Sequence, residues 1–200
     1  MSRTTIGQDG RARCAWSASA PEFDAYHDAE WGFPVGDDKR LFEKICLESF
    51  QSGLSWRTIL AKRENFRAAF AGFDYHRVAA FGPEEVEVLL QNAGIIRHRG
   101  KIEAVINNAA RAQEMEQAEG SLAAFFWQYE VTTPPEPQTA STCPESIALS
   151  KALKKRGWKF VGPTTCFAFM QAMGLVNDHA EGCYCRPLAA QARAAFQKPS

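Results

Sequence analysis

An acidic residue stands among aromatic residues in the first third of the chain. Glu48 lies at the edge of an apolar helical stripe, and Trp16, Tyr26 and Trp56 lie before and after it. A flat, positively charged base is attracted to aromatic ring faces and to a carboxylate, so the grouping predicts a pocket for such a base. An ordinary alternative stays open, because Lys44 precedes Glu48 by one helical turn and the two could form an exposed ion pair.

Residues of metal-binding type lie near both ends of the chain. Cys14 and His27 are near the start, and His179 and Cys183 are near the end. Two sulfur and two nitrogen donors match a tetrahedral Zn²⁺ site, and His179 and Cys183 are about one helical turn apart. Such an ion has four protein ligands and no open position, so it would join the chain ends rather than catalyse. On spacing alone, other cysteines compete as ligands: Cys46, Cys166 and Cys185.

A glycine turn followed by basic residues predicts a contact with a nucleic acid backbone. Gly94 ends one helical pattern, Ile95 and Ile96 follow, and the next helix starts among basic side chains. The free N–H groups at a helix N-terminus suit a phosphate. The segment is typical of the DNA-binding helix–hairpin–helix, although an ordinary helical hairpin with a basic surface shows the same pattern. The basic side chains are Arg97, His98, Arg99 and Lys101.

The elements that must position these residues are helical almost throughout. Asp37 and Asp38 offer an N-cap for a helix that runs through Phe50. Residues 131–144 contain four of the ten prolines and predict a surface connection. No alternating strand pattern of useful length is visible, so we predict an all-α fold. Apolar spacing and helix stop signals predict further helices over 63–70, 83–91, 100–116, 122–129, 150–156 and 164–173.

Composition places the chain among folded proteins of one domain. Its 200 residues are 46% hydrophobic and 23% charged, with 14 phenylalanines to fill a core. No apolar run approaches the ~20 residues of a membrane span, and the polar N-terminus does not resemble a signal peptide. We therefore expect a cytoplasmic protein with reduced thiols. A net charge of zero argues against non-specific coating of nucleic acid but permits local basic faces, one of them over residues 151–159.

These residues belong to a series of motifs that resembles the bacterial DNA-3-methyladenine glycosylase I family, from about Arg13 to Arg186. So many motifs in the same order make the resemblance specific. The matching segments are Cys14-Ala15-Trp16, residues 25–32, residues 41–48, Gly53-Leu54-Ser55-Trp56, residues 62–66, residues 93–102, residues 153–157, Phe160-Val161-Gly162, and residues 174–179 with Cys183.

The resemblance implies the helix–hairpin–helix DNA glycosylase fold, with its N- and C-termini joined by one structural zinc ion. It also implies a base excision repair enzyme that flips and hydrolytically removes 3-methyladenine from alkylated double-stranded DNA, without a lyase step. Free 3-methyladenine is then the product, no membrane is involved, and a monomer is expected. We expect a flexible extension over 1–12, the glycosylase domain over 13–187 and a tail over 188–200.

Position by position, the resemblance assigns roles to individual residues. Zinc ligands are Cys14, His27, His179 and Cys183. Glu48 is the catalytic residue, and Tyr26, Trp56, Trp16 and Trp31 bind the base. DNA contacts come from Leu54, as a wedge beside Gly53, and from the hairpin residues Gly94, Ile96, Arg97, Arg99 and Lys101. Two segments depart from the family pattern and are expected to alter the outer pocket or substrate range: Ser49-Phe50 and Phe167-Ala168.

The resemblance also implies an unusual mechanism. Alkylation at N3 makes adenine cationic and a good leaving group, so no acid need protonate it. Most helix–hairpin–helix glycosylases place an aspartate beyond the hairpin to stabilise the sugar cation, but here none follows until Asp178. Catalysis is then expected to rest on extrusion, desolvation and selective binding of the cationic base.

Three other functions compete with this interpretation. A catalytic zinc deaminase needs Pro-Cys-x-x-Cys, whereas Cys183-Tyr184-Cys185 is wrongly spaced and lacks the proline. A DNA-binding module without chemistry would not need the aromatic pocket. A bifunctional glycosylase needs a lyase lysine, for which Lys101 is the candidate, although we expect it to contact phosphate.

Overall fold

The computed structural model describes residues 3–199, which form a bundle of α-helices with one small β-hairpin. Strand β1, Thr4–Ile6, pairs antiparallel with β2, Ala12–Cys14. Strands of three residues are too short to show alternation in a sequence, which is why they were not predicted. The segment 1–12, expected to be a flexible extension, contains β1 and the first residue of β2, and its flexibility stays a prediction. Its first two residues lie outside the described part.

The N-terminal half of the bundle carries five helices. The predicted N-cap is confirmed, because the Asp37 side chain accepts a hydrogen bond from the backbone N–H of Arg40 at 2.8 Å. Short 3₁₀ helices at Ala15–Ser19 and Ala71–Phe73 join the α-helices. The five are α1 Glu22–Ala29, α2 Asp38–Gln51, α3 Trp56–Ala61, α4 Arg63–Ala69 and α5 Tyr75–Val78.

The C-terminal half carries six more helices among the described residues. One of them, α9, begins at Pro144 rather than Ser150, because Cys143 and Ser146 cap its N-terminus reciprocally. The last helix was not predicted, and it crosses the boundary at 187 where a tail was expected. The six are α6 Pro83–Gln91, α7 Arg99–Glu119, α8 Leu122–Phe126, α9 Pro144–Lys155, α10 Pro163–Ala172 and α11 Cys185–Ala195.

Helix α2 occupies the centre of the bundle. It packs against α7, α8 and α10, so residues on every side of it are buried, including the polar ones. Large aromatic residues fill the space around it, and Phe42 and Phe50 are fully buried. No helix within residues 3–199 has both the length and the apolar character of a membrane span. The polar residues Lys44, Glu48 and Ser49 of α2 are therefore removed from water by the fold itself.

Gly174 follows the C-cap of α10, where the chain turns into residues 174–179. Its φ is +77°, and a Cβ built on it would lie 2.6 Å from the backbone carbon of Phe33 and the nitrogen of Pro34. The backbone N–H of Val35 donates to the carbonyl of Met173 across the same contact, at 3.2 Å. Only glycine fits this crossing, which brings the segment around His179 against residues 31–35.

We expect Gly174→Ala to lower the free energy of unfolding by more than about 3 kcal/mol, since it combines a left-handed φ with a backbone clash. Gly120→Ala is the matched control, because Gly120 has φ +85° and nothing within 4 Å of a built Cβ. That control should cost only about 1–2 kcal/mol. Urea unfolding of both variants measures the difference, and equal losses would show that the close approach to Phe33 has no energetic weight.

Candidate active site and metal centre

A cavity of about 290 Å³ opens beside α2 and α10. It contains every residue that the sequence assigned to base binding: Trp16, Tyr26, Trp31, Glu48 and Trp56. Six further residues complete the lining. Of these, only Ala168 was expected from the sequence to affect the pocket, as one of the departures from the family pattern. The six are Gln51, Gln138, Ala140, Ala168, Gln171 and Asp178.

Aromatic rings form the walls of the cavity. Trp16 meets the rings of Trp31 and Tyr26 edge-on, at centroid distances of 5.1 and 6.3 Å. Tyr26 in turn lies 5.4 Å from Trp56, which begins α3 behind its N-cap Ser55. Tyr26 and Trp31 are 3% and 8% exposed. Packing of the rings on one another fixes their orientation before any ligand enters.

Glu48 is the buried anion of the cavity. It is 6% exposed, and burial raises its pKa from 4.5 to about 7, although the nearby Lys44 ammonium opposes this shift. Within residues 3–199, no group donates a hydrogen bond to its carboxylate. A desolvated carboxylate without donors is costly, so the site is built to receive a ligand with positive charge or N–H groups.

Lys44 lies beside Glu48 but not on the surface, so the alternative of an exposed ion pair is wrong. Lys44 is 5% exposed, and its Nζ donates to the Tyr26 hydroxyl at 2.8 Å. The same Nζ lies 4.6 Å from the Tyr26 ring centroid and 4.3 Å from that of Trp56. Burial lowers the Lys44 pKa from 10.5 to about 8. This placement could not be predicted from the residues alone, because a Lys–Glu pair at i,i+4 is ordinarily solvated.

Asp178 also lines the cavity, which the sequence did not predict. It is 2% exposed, and burial raises its pKa above the usual 3.8. Its Oδ1 accepts the backbone N–H of Gln138 at 2.9 Å, and its Oδ2 accepts from Gln171 Nε2 at 2.6 Å. The Pro-rich connection is therefore more than a surface segment, since its residues Gln138 and Ala140 reach the cavity. The position of Asp178 next to His179 was the available signal.

The four predicted metal ligands converge. The donor atoms of Cys14, His27, His179 and Cys183 lie within 4.8 Å of one another and all four residues are buried. The competing cysteines are not part of this cluster. Cys46 and Cys166 belong to no group of metal-binding type among the described residues. Cys185 Sγ lies 3.8 Å from His27 Nδ1, on the other side of the ring from Nε2. The fold brings together residues that are far apart in the sequence, and the four side chains could hold a metal ion here.

Distances in the cluster fit a tetrahedral ion. Cys14 Sγ lies 3.6 Å from His179 Nδ1, and Cys183 Sγ lies 3.5 Å from His27 Nε2 and 3.7 Å from His179 Nδ1. Zn–S of about 2.3 Å and Zn–N of about 2.0–2.1 Å at a tetrahedral angle place S and N about 3.6 Å apart. The outer ring nitrogens are also held: His27 Nδ1 by Asp28 at 2.8 Å, and His179 Nε2 by the Trp31 carbonyl at 3.0 Å.

The cluster of Cys14, His27, His179 and Cys183 supports the cavity without opening into it. Among the described residues, none of the four donor residues lines the cavity, but Trp31 touches both. The Trp31 ring stacks on His27 at 6.4 Å and meets His179 edge-on at 4.8 Å. Four protein donors behind a tryptophan wall leave no ligand position facing a substrate, which argues against a catalytic metal.

The predicted hairpin lies between α6 and α7. Asn92 Oδ1 accepts the N–H of Gly94 at 2.8 Å, and Lys62 Nζ donates to the Ala93 carbonyl at 2.9 Å. Ile96 is half-buried, while Arg97 is exposed. Arg99 is also exposed, and pairs with Glu87 of α6 at 2.6 Å.

Lys101 corrects the sequence interpretation. We expected it to contact phosphate, but it is 7% exposed, and its Nζ donates to the carbonyls of Phe50 and Ser52 at 2.9 and 2.6 Å. It thus closes the C-terminal end of α2 and anchors the loop that carries Gly53 and Leu54. Leu54 is 41% exposed, and its role as a wedge stays a prediction. Lys101 does not line the cavity either, so its position does not favour the lyase role for which it was the candidate.

Comparison with known proteins agrees with this geometry. The family model described as Methyladenine glycosylase matches residues 16–186. The DNA-3-methyladenine glycosylase 1 of Escherichia coli K12 is 55% identical over 182 residues, which cover 88% of this chain and 97% of that protein. A crystal structure of 3-methyladenine DNA glycosylase I superposes with a TM-score of 0.81 at 54% identity, covering 86% of this chain and 98% of that one.

A second solved structure bears on the ligand. It is a variant of 3-methyladenine DNA glycosylase I in complex with 3-methyladenine, 36% identical, with a TM-score of 0.81 and coverage of 88% of this chain and 97% of that one. Family model, sequence relatives and structural neighbours therefore agree, and they cover nearly the same span as the motifs. The chain belongs to the methyladenine glycosylase family.

Proposed function

We propose that this enzyme removes 3-methyladenine from alkylated double-stranded DNA by flipping the nucleotide into the cavity and hydrolysing its N-glycosidic bond, without a lyase step. The observation that carries the proposal is the Glu48 carboxylate, buried beside aromatic rings and without a hydrogen-bond donor. Relatives named for this activity, one of them solved with 3-methyladenine, support it.

Recognition rests on charge. Methylation at N3 gives the base a positive charge that unmodified adenine lacks. The Glu48 carboxylate accepts a hydrogen bond from the exocyclic amino group of the base, and the faces of the Tyr26 and Trp56 rings attract the cation. Because Glu48 and Tyr26 are buried and Trp56 is partly buried, these contacts are stronger than they would be on an open surface.

Bond cleavage needs little acid–base chemistry from the chain. The cationic base leaves as a neutral molecule, and water then adds to the oxocarbenium-like sugar. Asp178 has both oxygens committed to Gln138 and Gln171, so its role is to hold the 131–144 connection against the cavity. The chain contributes extrusion, exclusion of water and a site that binds the departing base.

Extrusion requires contacts with the duplex. Leu54, at the exposed tip of the loop anchored by Lys101, fills the gap left by the flipped base without needing hydrogen-bond partners. Gly53, with φ +82°, permits the turn at this tip. At the hairpin, the exposed Arg97 side chain brings positive charge to phosphate, while the Gly94 N–H is held by Asn92 Oδ1 and shapes the turn. We infer that one chain suffices, since cavity, hairpin and wedge all come from the same protomer.

We further infer that Cys14, His27, His179 and Cys183 hold one structural Zn²⁺. Donor types and spacing fit this ion, and the held outer nitrogens fix the imidazoles for binding. When bound, the ion supplies no catalysis but links the two ends of the domain. The chain's own residues then keep Trp31 in place as a wall of the cavity.

Glu48→Gln tests the base anchor. The substitution keeps the shape but removes the charge, so we expect single-turnover release of 3-methyladenine from methylated DNA to slow by about 10- to 100-fold, as for a lost charge-assisted hydrogen bond. Glu43→Gln, on the same helix but paired with Arg67 outside the cavity, is the control and should retain the rate. A normal rate in Glu48→Gln would reject the proposal.

The pH dependence provides an independent check. Since burial raises the pKa of Glu48 to about 7, the carboxylate is protonated as pH falls through that value, and excision should decline on the acid side. The substrate keeps its positive charge over this range, so the decline belongs to the protein. A pH–rate profile of Glu48→Gln should lack this limb; a limb unchanged in the variant would assign it to another group.

Metal analysis tests the zinc site. We expect one zinc per chain in protein purified without chelator. Chelation should lower the melting temperature by roughly 10 °C or more, because a structural ion contributes several kcal/mol. Cys183→Ser should lose the metal, whereas Cys143→Ser, a buried cysteine outside the cluster, should keep it. Absence of zinc from the wild-type chain would refute the site.

A further inference from the structure

Phe160 is an exposed aromatic residue in a strained backbone conformation. It lies in the turn between α9 and α10, is 41% exposed, and has φ +55°. A bulky side chain in the left-handed region is a genuine outlier, and such strain persists only where the surroundings enforce it. Among the exposed large hydrophobic residues of the described chain, Phe160 is the only aromatic one. Hydrophobic burial therefore does not explain why the ring is there.

The surrounding helices hold this turn by its carbonyl groups. Polar side chains from α2, α7 and α9 each donate a hydrogen bond to it, and those from Ser49, Asn108 and Ser150 are at least nine-tenths buried. The bonds run from Asn107 to Gly157 at 2.9 Å, from Asn108 to Lys159 at 2.9 Å, from Ser49 to Phe160 at 3.0 Å and from Ser150 to Val161 at 2.7 Å. Four buried or half-buried donors thus hold the backbone of one turn, and this backbone fixes the position of the exposed Phe160 ring.

The ring lies against the start of α7. It meets the His98 ring edge-on at 6.2 Å, and a Cβ built on Gly100 would lie 3.8 Å from its Cζ. The next residue of α7, Lys101, anchors the loop of Leu54 through the carbonyls of Phe50 and Ser52. One helical turn thus supports two exposed apolar side chains, Phe160 and Leu54.

Charge around the ring favours one kind of partner. Lys159 precedes it, Arg97 lies in the hairpin beside it, and Lys155 ends α9 before the turn; all three are exposed. Positive charge around a stacking surface suits a nucleic acid, whose phosphates are negative and whose bases present flat faces. An apolar protein partner would not require these cations.

We propose that Phe160 is a second apolar contact with the DNA duplex, which stacks on a base or sugar next to the extruded nucleotide while Leu54 fills the gap. This inference rests on the proposed function, since it needs the hairpin to face the damaged duplex. Because the turn is held in advance by Ser49, Asn108 and Ser150, the ring meets DNA without an ordering cost.

Phe160→Gly and Phe160→Asn test the ring separately from the fold. Glycine and asparagine both tolerate a left-handed φ, so the melting temperature should stay equal or rise. Binding to a duplex with a tetrahydrofuran abasic site, measured by fluorescence anisotropy, should weaken by roughly 5- to 100-fold, as for loss of one stacked aromatic. Binding of free 3-methyladenine, measured by tryptophan fluorescence, should not change.

Leu188→Ala is the matched control, because Leu188 is a similarly exposed apolar residue, 43% exposed, on α11. It should bind the duplex like the wild type. The inference is overturned if the Phe160 variants bind the duplex within twofold of wild type, if Leu188→Ala loses as much, or if affinity for the free base falls in parallel. A wild-type chain that binds no abasic duplex would instead defeat the proposed function, and this inference with it.

Discussion

A carboxylate held out of water without a hydrogen-bond donor is the constraint on which this structure depends. Glu48 is in that position because α2 is enclosed by α7, α8 and α10. A buried charge without a hydrogen-bond partner costs several kcal/mol, which the nearby Lys44 ammonium offsets only in part, so the rest must come from the core. The phenylalanines packed around α2 provide the apolar burial that does so. The cost of Glu48 in the free protein is regained when a cation enters the cavity.

The walls of the cavity depend on the joining of distant segments. Trp16, Tyr26 and Trp31 come from the first turns of the chain, whereas Asp178 comes from near its end. His179 Nε2 hydrogen-bonds to the carbonyl of Trp31, and His179 also belongs to the Cys/His cluster. The same residue therefore joins the two ends of the domain and positions Trp31 in the cavity wall. Gly174 allows the backbones to approach closely enough for this contact. Stability and recognition are therefore coupled through residues 174–183.

The sequence predicted what short motifs and helical spacing encode. Helices α1, α3 and α5 were not predicted, although Ser55 and Asp74 cap α3 and α5. The other helices from α2 to α10 were predicted, as were the aromatic residues that line the cavity and the four residues of the Cys/His cluster. Their convergence could be inferred only from the family resemblance, because residues 14 and 183 are brought together by tertiary packing. The hairpin Thr4–Ile6 with Ala12–Cys14 was too short to show a period, and α11 has no strong N-cap signal.

Residues whose environment is set by tertiary structure were misjudged. Lys101 has the sequence context of a phosphate ligand, yet its ammonium reaches back to the carbonyls of Phe50 and Ser52. Asp178 was discounted because it follows the hairpin at a long distance in sequence, but chain distance does not measure spatial distance. Lys44 could have formed an exposed ion pair with Glu48, but it is buried. In each case the side chain type was read correctly, and only burial decided what it contacts.

Lys44 shows how a buried cation can support a cavity wall without neutralising the nearby carboxylate. Its Nζ donates to the Tyr26 hydroxyl and lies 4.6 and 4.3 Å from the ring centroids of Tyr26 and Trp56. Among the described residues no ion pair joins it to Glu48, and Lys44 does not line the cavity. Burial lowers the pKa of Lys44 and raises that of Glu48, so each charge is costly where it lies. Packing therefore sets the shape of the cavity, whereas the carboxylate without a donor favours a positively charged occupant over a neutral one of the same size.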